Sequence, residues 1–186
     1  MESINKLTRK LERLDYQTYL HSLSCYKRAL TYCDIMDFHL IIKHSVSLAC
    51  LYHDLGKMYY EDLVTAERPL TDEERYQLSF HPIDSYVICK SAGLPDNICN
   101  LVLLHHDPAL ITLPKLLDEY DGLSREILTN VSAKEQELAE TVSMIDVVDA
   151  LQENRPYRTH QLTFTEMGRI FANQFPTKAY EFMNIV

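Results

Sequence analysis

Residues 48–60 read LACLYHDLGKMYY. An apolar run stops at His53-Asp54, and Gly56 and Lys57 follow. An imidazole or a carboxylate is costly to bury unless it finds a partner. The stretch therefore describes a greasy helix that carries a polar pair into the interior, then a breaker and a cation. Working outward, the spacing predicts a helix over 36–54 that is apolar on most faces and so buried. A second long helix is expected over 16–33, and a short basic amphipathic segment over 3–14. Only four glycines interrupt 186 residues, which favours helix almost throughout.

Downstream, ERPLTDEERYQL carries a capping box, Thr71 with Glu74 three residues on. The helix it opens is expected to contain His81-Pro82 and to reach about Ala92, where Gly93 stops it. Pro95-Asp96 opens another that runs into His105-His106. Residues 107–132 are the least regular part, with Pro108, Pro114 and an Asp121-Gly122 turn. A long helix is expected over 133–153, with two short ones around Pro176. There is no internal repeat, linker or low-complexity segment. The expectation is one all-α domain, a helical bundle over 1–186.

Net charge is −9, from 27 acidic against 18 basic residues. A phosphate-backbone tracker usually shows a basic face, so a nucleic-acid polymer is not the expected partner. A small phosphate ester held by metals remains compatible, because bound cations invert the local field. The cysteines (Cys25, Cys33, Cys50, Cys89, Cys99) form no CxxC pair and read as buried free thiols in a reducing compartment. The N-terminus lacks the apolar centre of a signal peptide. No apolar run approaches the ~20 residues that span a bilayer. A cytoplasmic location without membrane contact is expected.

The polar residues that do not fit a core are His53-Asp54, His81, His105-His106 and Asp146. A lone helical histidine is more often a satisfied core or surface residue than a ligand. Two doublets at apolar helix ends would each need a separate excuse, whereas a common metal centre explains them together. Neighbouring helix positions point about 100° apart, so a doublet can serve two cations or bridge them. Mixed histidine and carboxylate ligands suit Fe, Mn, Zn or Ni. His44 faces away from His53 on a continuous helix. His39 lies about 21 Å along the axis. His21, on the preceding helix, is free to pack alongside, and His160 reads as surface.

His53-Asp54 in HDLGK, with His21 upstream and Asp146 downstream, resembles the HD superfamily of metal-dependent phosphohydrolases. His81-Pro82, His105-His106 and DVVDALQENRPYR (146–158) resemble its HD-GYP branch. The likeness covers roughly residues 16–160 and implies two divalent transition-metal ions, Fe or Mn favoured, with Zn or Ni as alternatives. Carried over by position, His21, His53, Asp54 and Asp146 would surround one ion. Asp54 would bridge to a second held by His81, His105 and His106. Lys57 would contact substrate phosphate, with Arg155, Tyr157 and Arg158 as further substrate or supporting residues. Asp54 and Lys57 would be the catalytic pair, the metals activating a water for in-line attack on phosphorus.

This sequence departs from the branch at several points. No Gly-Tyr-Pro motif is present, Asp107 replaces a glutamate, Ser85 replaces a glycine, and Gln17 stands where some members have a third-metal glutamate. The implied activity is a phosphodiesterase or phosphohydrolase acting on a nucleotide signal such as cyclic di-GMP. Alternatives are a metal-binding signalling or adaptor module with little turnover and a di-iron oxygenase; under any of these the expected partners include a second copy in a homodimer or a signalling partner. Gly56 is expected to turn the chain so that Lys57 faces the site.

Overall fold

The computed structural model describes residues 2–153 and 160–186. Its helices are α1 (Glu2–Leu11), α2 (Tyr16–Ile35), α3 (Leu40–Tyr52), α4 (Glu61–Val64), α5 (Asp72–Leu78) and α6 (His81–Ser91). They continue as α7 (Asp96–Leu104), α8 (Leu113–Glu119), α9 (Ala133–Gln152), α10 (Phe164–Gln174) and α11 (Phe182–Ile185). Tighter 3-10 turns span Leu55–Tyr59, Arg125–Asn130 and Pro176–Glu181. No strand occurs among the described residues. The protein is all-α.

α3 lies at the centre, packed on α2, α7 and α9, while α6 packs on α7 and on the Leu55–Tyr59 turn. Its inward face buries Val46, Ala49, Cys50 and Tyr52. α9 turns Ala139, Val142, Ile145 and Val148 into the same core. Local sequence sets the starts. Asp15 accepts from the Gln17 and Thr18 amides at the head of α2. Reciprocal capping boxes open α5 (Thr71/Glu74), α9 (Ser132/Glu135) and α10 (Thr163/Glu166). All five cysteines are free and buried. No described helix is long and apolar enough to cross a membrane.

Three expectations need correction. The helix over 36–54 begins only at Leu40, with the His39 ring accepting from the Ile41 amide as its cap, and its first residues Leu40 and Ile41 are exposed. The helix opened by Thr71 does not run to Ala92. It stops at Leu78, and α6 starts afresh at His81 with Pro82 in its first turn. Proline has no N–H to give to the carbonyl four residues back, and that carbonyl, Leu78 O, accepts from His81 Nδ1 instead at 2.8 Å. Gly93 does end α6, at φ +79°.

The third correction concerns the reason for Gly56. The chain does turn there, in the Leu55–Tyr59 3-10 turn, and Lys57 does face Asp54, but the backbone is not left-handed and turning is not what requires a glycine. Gly56 is a point of close approach. A Cβ there would lie 2.2 Å from His81 O, 2.7 Å from Asp84 Cβ and 2.8 Å from Ser85 N. The Gly56 amide donates to Ser85 Oγ at 2.7 Å. This contact seats the Leu55–Tyr59 turn, and hence the His53-Asp54 end of α3, directly against the start of α6.

Candidate metal centre

Helix ends supply His53, Asp54, His81, His105 and His106, while His21 and Asp146 come from within α2 and α9. The last carbonyls of a helix have no intrahelical partner. His53, at the C-cap of α3, donates from Nδ1 to Cys50 O at 2.8 Å. His105, at the C-cap of α7, donates from Nδ1 to Val102 O at 2.7 Å. His81 makes the same contact with Leu78 O beyond α5. A carbonyl can only accept, so all three rings carry their proton on Nδ1 and turn Nε2 inward. Orientation of a ring by its second nitrogen is the usual support of a metal-ligating histidine.

The inward atoms meet around Asp54, whose side chain is 1 % exposed. Its Oδ1 lies 3.2 Å from His81 Nε2. Its Oδ2 lies 3.3 Å from His53 Nε2, 3.9 Å from His21 Nε2 and 2.6 Å from Lys57 Nζ. The two oxygens therefore address two different groups of rings. On the Oδ2 side, Asp146 Oδ1 is 2.9 Å from His21 Nε2 and 3.7 Å from His53 Nε2. On the Oδ1 side, the Nε2 atoms of His81 and His105 are 3.3 Å apart. The His106 ring, at the solvent edge, lies 4.1 Å from His105 and 5.0 Å from His81 between centroids. His81, His105 and His106 each offer a ligand atom within 4.8 Å of the others, as do His21, His53 and Asp54.

A bound cation would fit this donor set. His53 Nε2 and Asp54 Oδ1 are buried with no hydrogen-bond partner, their nearest approaches being off the line that a hydrogen bond requires. Orphaned buried polar atoms are rare and call for a physical reason. The electrostatics agree. Burial pushes Asp54 up, but the charges of His53 and Lys57 outweigh it and hold the carboxyl well below the usual range. Burial likewise pushes Asp146 up, and a hydrogen bond from His21 together with the charges of His53 and His21 holds it well below. Burial draws His53 down, yet Asp54 and Asp146 lift it to about 9. His105 is held well below its ordinary value by burial and by His106, His53 and His81.

His21 differs from the other rings. Its Nδ1 faces Asp149 Oδ2 at 2.9 Å, with Glu153 Oε1 at 3.2 Å. Sequence reasoning missed both carboxylates. The available signal was their spacing in DVVDALQE, since Asp149 is one helical step of three beyond Asp146 and shares its face. Lys57 ends on Asp54 Oδ2, not on an open surface. Asp107 turns inward on its own loop, accepting from the Ile111, Thr112 and Leu113 amides. His39 and His44 are exposed and apart from the centre, and His160 pairs with Glu166 at the surface. Arg155, Tyr157 and Arg158 lie outside the described residues.

A helical core that gathers histidines and aspartates around one buried carboxylate defines a class, that of the all-α proteins with a cluster of side chains able to hold metal. The chain belongs to the HD domain family, whose model matches residues 18–154. That span contains every residue of the centre and excludes α1, α10 and α11. HD domains bind divalent metals and are in general metal-dependent phosphohydrolases. No curated protein and no solved structure matches the chain.

Proposed function

We propose that this protein is a metal-dependent phosphodiesterase or phosphohydrolase with two divalent transition-metal ions, Fe or Mn in preference to Zn or Ni. His21, His53, Asp54 and Asp146 would hold one ion. His81, His105 and His106 would hold the other, with Asp54 shared. The observation that carries this reading is the divergence of the two Asp54 oxygens, Oδ2 toward His21 and His53 and Oδ1 toward His81.

When bound, the ions supply Lewis acidity toward a phosphoryl oxygen and toward the attacking water. The chain's own residues supply the rest. The Nδ1 contacts to Cys50 O, Val102 O and Leu78 O hold three rings in one orientation, Nε2 inward, before any ligand arrives. The closed packing of α3, α7 and α9 keeps water from the inner side of the centre. Lys57 holds a positive charge beside Asp54, where it would stabilise charge developing on a non-bridging phosphoryl oxygen. A nucleotide phosphoester, such as a cyclic dinucleotide, is the proposed substrate class.

The test is hydrolysis of bis(p-nitrophenyl) phosphate and of a panel of cyclic dinucleotides by protein loaded with Mn or, anaerobically, with Fe. Turnover abolished by Asp54→Ala supports the proposal. Metal loading without turnover on any phosphoester would overturn it in favour of a binding module.

A further inference from the structure

Behind His21 lies a chain of contacts that leads away from the centre. Asp149 is 4 % exposed and its two oxygens are divided. Oδ1 accepts from Arg28 Nε at 2.7 Å and from Ser24 Oγ. Oδ2 is left pointing at His21 Nδ1 at 2.9 Å. Two donors on one oxygen fix the rotation of the carboxylate, and so fix where the other oxygen aims. Arg28 is itself pinned at its far end. Nη1 donates to Ile185 O at 3.0 Å and to Val186 O at 3.3 Å, and Nη2 donates to Gln152 Oε1. The guanidinium thus spans α2, α9 and α11 with its planar fork of donors. Its contact on α11 lies beyond residues 18–154, the part of the chain that the family model covers.

We propose that Arg28 is a positioning residue for the first metal position, coupling the seating of α11 to the orientation of His21. This rests on the metal-centre reading above. Arg28 touches no ligand atom of the centre. It holds Asp149, and Asp149 holds the Nδ1 proton of His21, so that Nε2, 2.9 Å from Asp146 Oδ1, would be the nitrogen that gives up its proton to serve as the electron-pair donor to a cation. Phe182, 4 % exposed, anchors α11 in the core, so the Ile185 carbonyl is presented to Arg28 only while α11 is docked. Loosening α11 should therefore weaken one metal position from a distance and leave the other untouched.

The test uses full-length metal-free protein titrated with Mn(II) against a chromophoric chelator. His105→Ala identifies which binding step belongs to the His81/His105/His106 side. Arg28→Met is expected to weaken the other step by about 10- to 100-fold, the usual effect of losing an outer partner of a metal-ligating histidine. Arg28→Lys, which keeps the charge but not the fork, should fall between. Phe182→Ala should weaken the same step in the same direction. Equal weakening of both steps, or no change in either variant, would overturn the proposal. If Arg28→Met does not fold, Arg28→Lys and Phe182→Ala decide the matter. If the wild type binds no Mn(II), the metal reading fails, but the clamp stays testable by 15N NMR of neutral His21 in metal-free protein. The Nδ1–H tautomer, which competes with an Nε2–H facing Asp146 Oδ1 at 2.9 Å, should lose ground in Arg28→Lys relative to the wild type; the same tautomer ratio in both would overturn it.

Discussion

His81 and His105 face one another Nε2 to Nε2 at 3.3 Å, while each donates its Nδ1 proton to a backbone carbonyl. Two lone pairs at that distance repel unless a proton or a cation sits between them. The backbone contacts hold both rings in this arrangement, so the fold itself presents a place for positive charge.

Metal content follows from that geometry. Two transition-metal ions per chain are expected from elemental analysis of anaerobically prepared protein. Asp54→Ala should lose both, because each oxygen serves one side. His105→Ala should weaken only one. One ion or none in the wild type would refute the two-ion assignment.

Stability of the metal-free protein should depend on pH in a defined sense. Burial lowers the His53 pKa, but Asp54 and Asp146 lift it to about 9 in the fold, against about 6.5 for an unfolded histidine. A raised histidine contributes fully below about pH 6.5 and loses its contribution as pH rises to about 9. His21 is raised in the same sense despite its burial, through Asp146 and Asp149. The Tm of metal-free protein should therefore fall across this window. The rise in Tm on adding metal should grow across it, since metal takes the place of the departing protons. His53→Gln should flatten the decline; a slope unchanged from the wild type would show that His53 is not its source.

Lys57→Ala separates chemistry from scaffolding. Metal content should stay at the wild-type level. The kcat on a phosphodiester should drop about 10²- to 10³-fold, the usual loss for one transition-state contact. Early melting or metal loss would make Lys57 a structural partner of Asp54 only.

Gly56→Ala should disrupt the centre without altering any ligand. The added methyl would meet His81 O at 2.2 Å, and backbone on both sides cannot yield cheaply. A cost of about 1–3 kcal/mol or more is expected for such overpacking. It should be read as a lower Tm together with weakened binding of both ions. A wild-type Tm would contradict the close-approach role.

Residues 107–132 are tied to the centre through Asp84. Tyr60 and Tyr120 both donate to this buried carboxylate, at 2.7 and 2.6 Å. Leu113 and Leu117 anchor the same segment in the core. Tyr120→Phe should cost about 1.5–3 kcal/mol, as expected for a hydrogen bond to a charged group, with both metals retained. If the segment sets substrate choice, the ratio of kcat/KM between a small phosphodiester and a nucleotide should shift as well. An unchanged ratio assigns the segment to packing alone.

How much of this was legible in the chain depends on range. The all-α class, the Thr71/Glu74 box and the Gly93 stop are local matters of periodicity and backbone freedom, and the structure has them where expected. The polar pairs at His53-Asp54 and His105-His106 stood out because apolar helices rarely end that way. The break before His81 was readable in principle from Pro82, but a proline in the first turn of a new helix resembles one inside a longer helix. Arg155, Tyr157 and Arg158 fall outside the described residues.

The sequence by itself determined that this is a helical protein with the doublets His53-Asp54 and His105-His106 at apolar helix ends, because those signals lie within a few turns of chain. Only the tertiary structure decided which atoms face one another. His21 and Asp149 meet across 128 positions of chain, and no local pattern specifies how α2 lies on α9. The same holds for Gly56, whose need is not a turn but the lack of room beside α6, and for Arg28, whose reach to α11 exists only once the helices are packed. Asp54 can aim one oxygen at each group of rings because its helix end is held between α2, α6 and α9, a property of close packing and not of the residue.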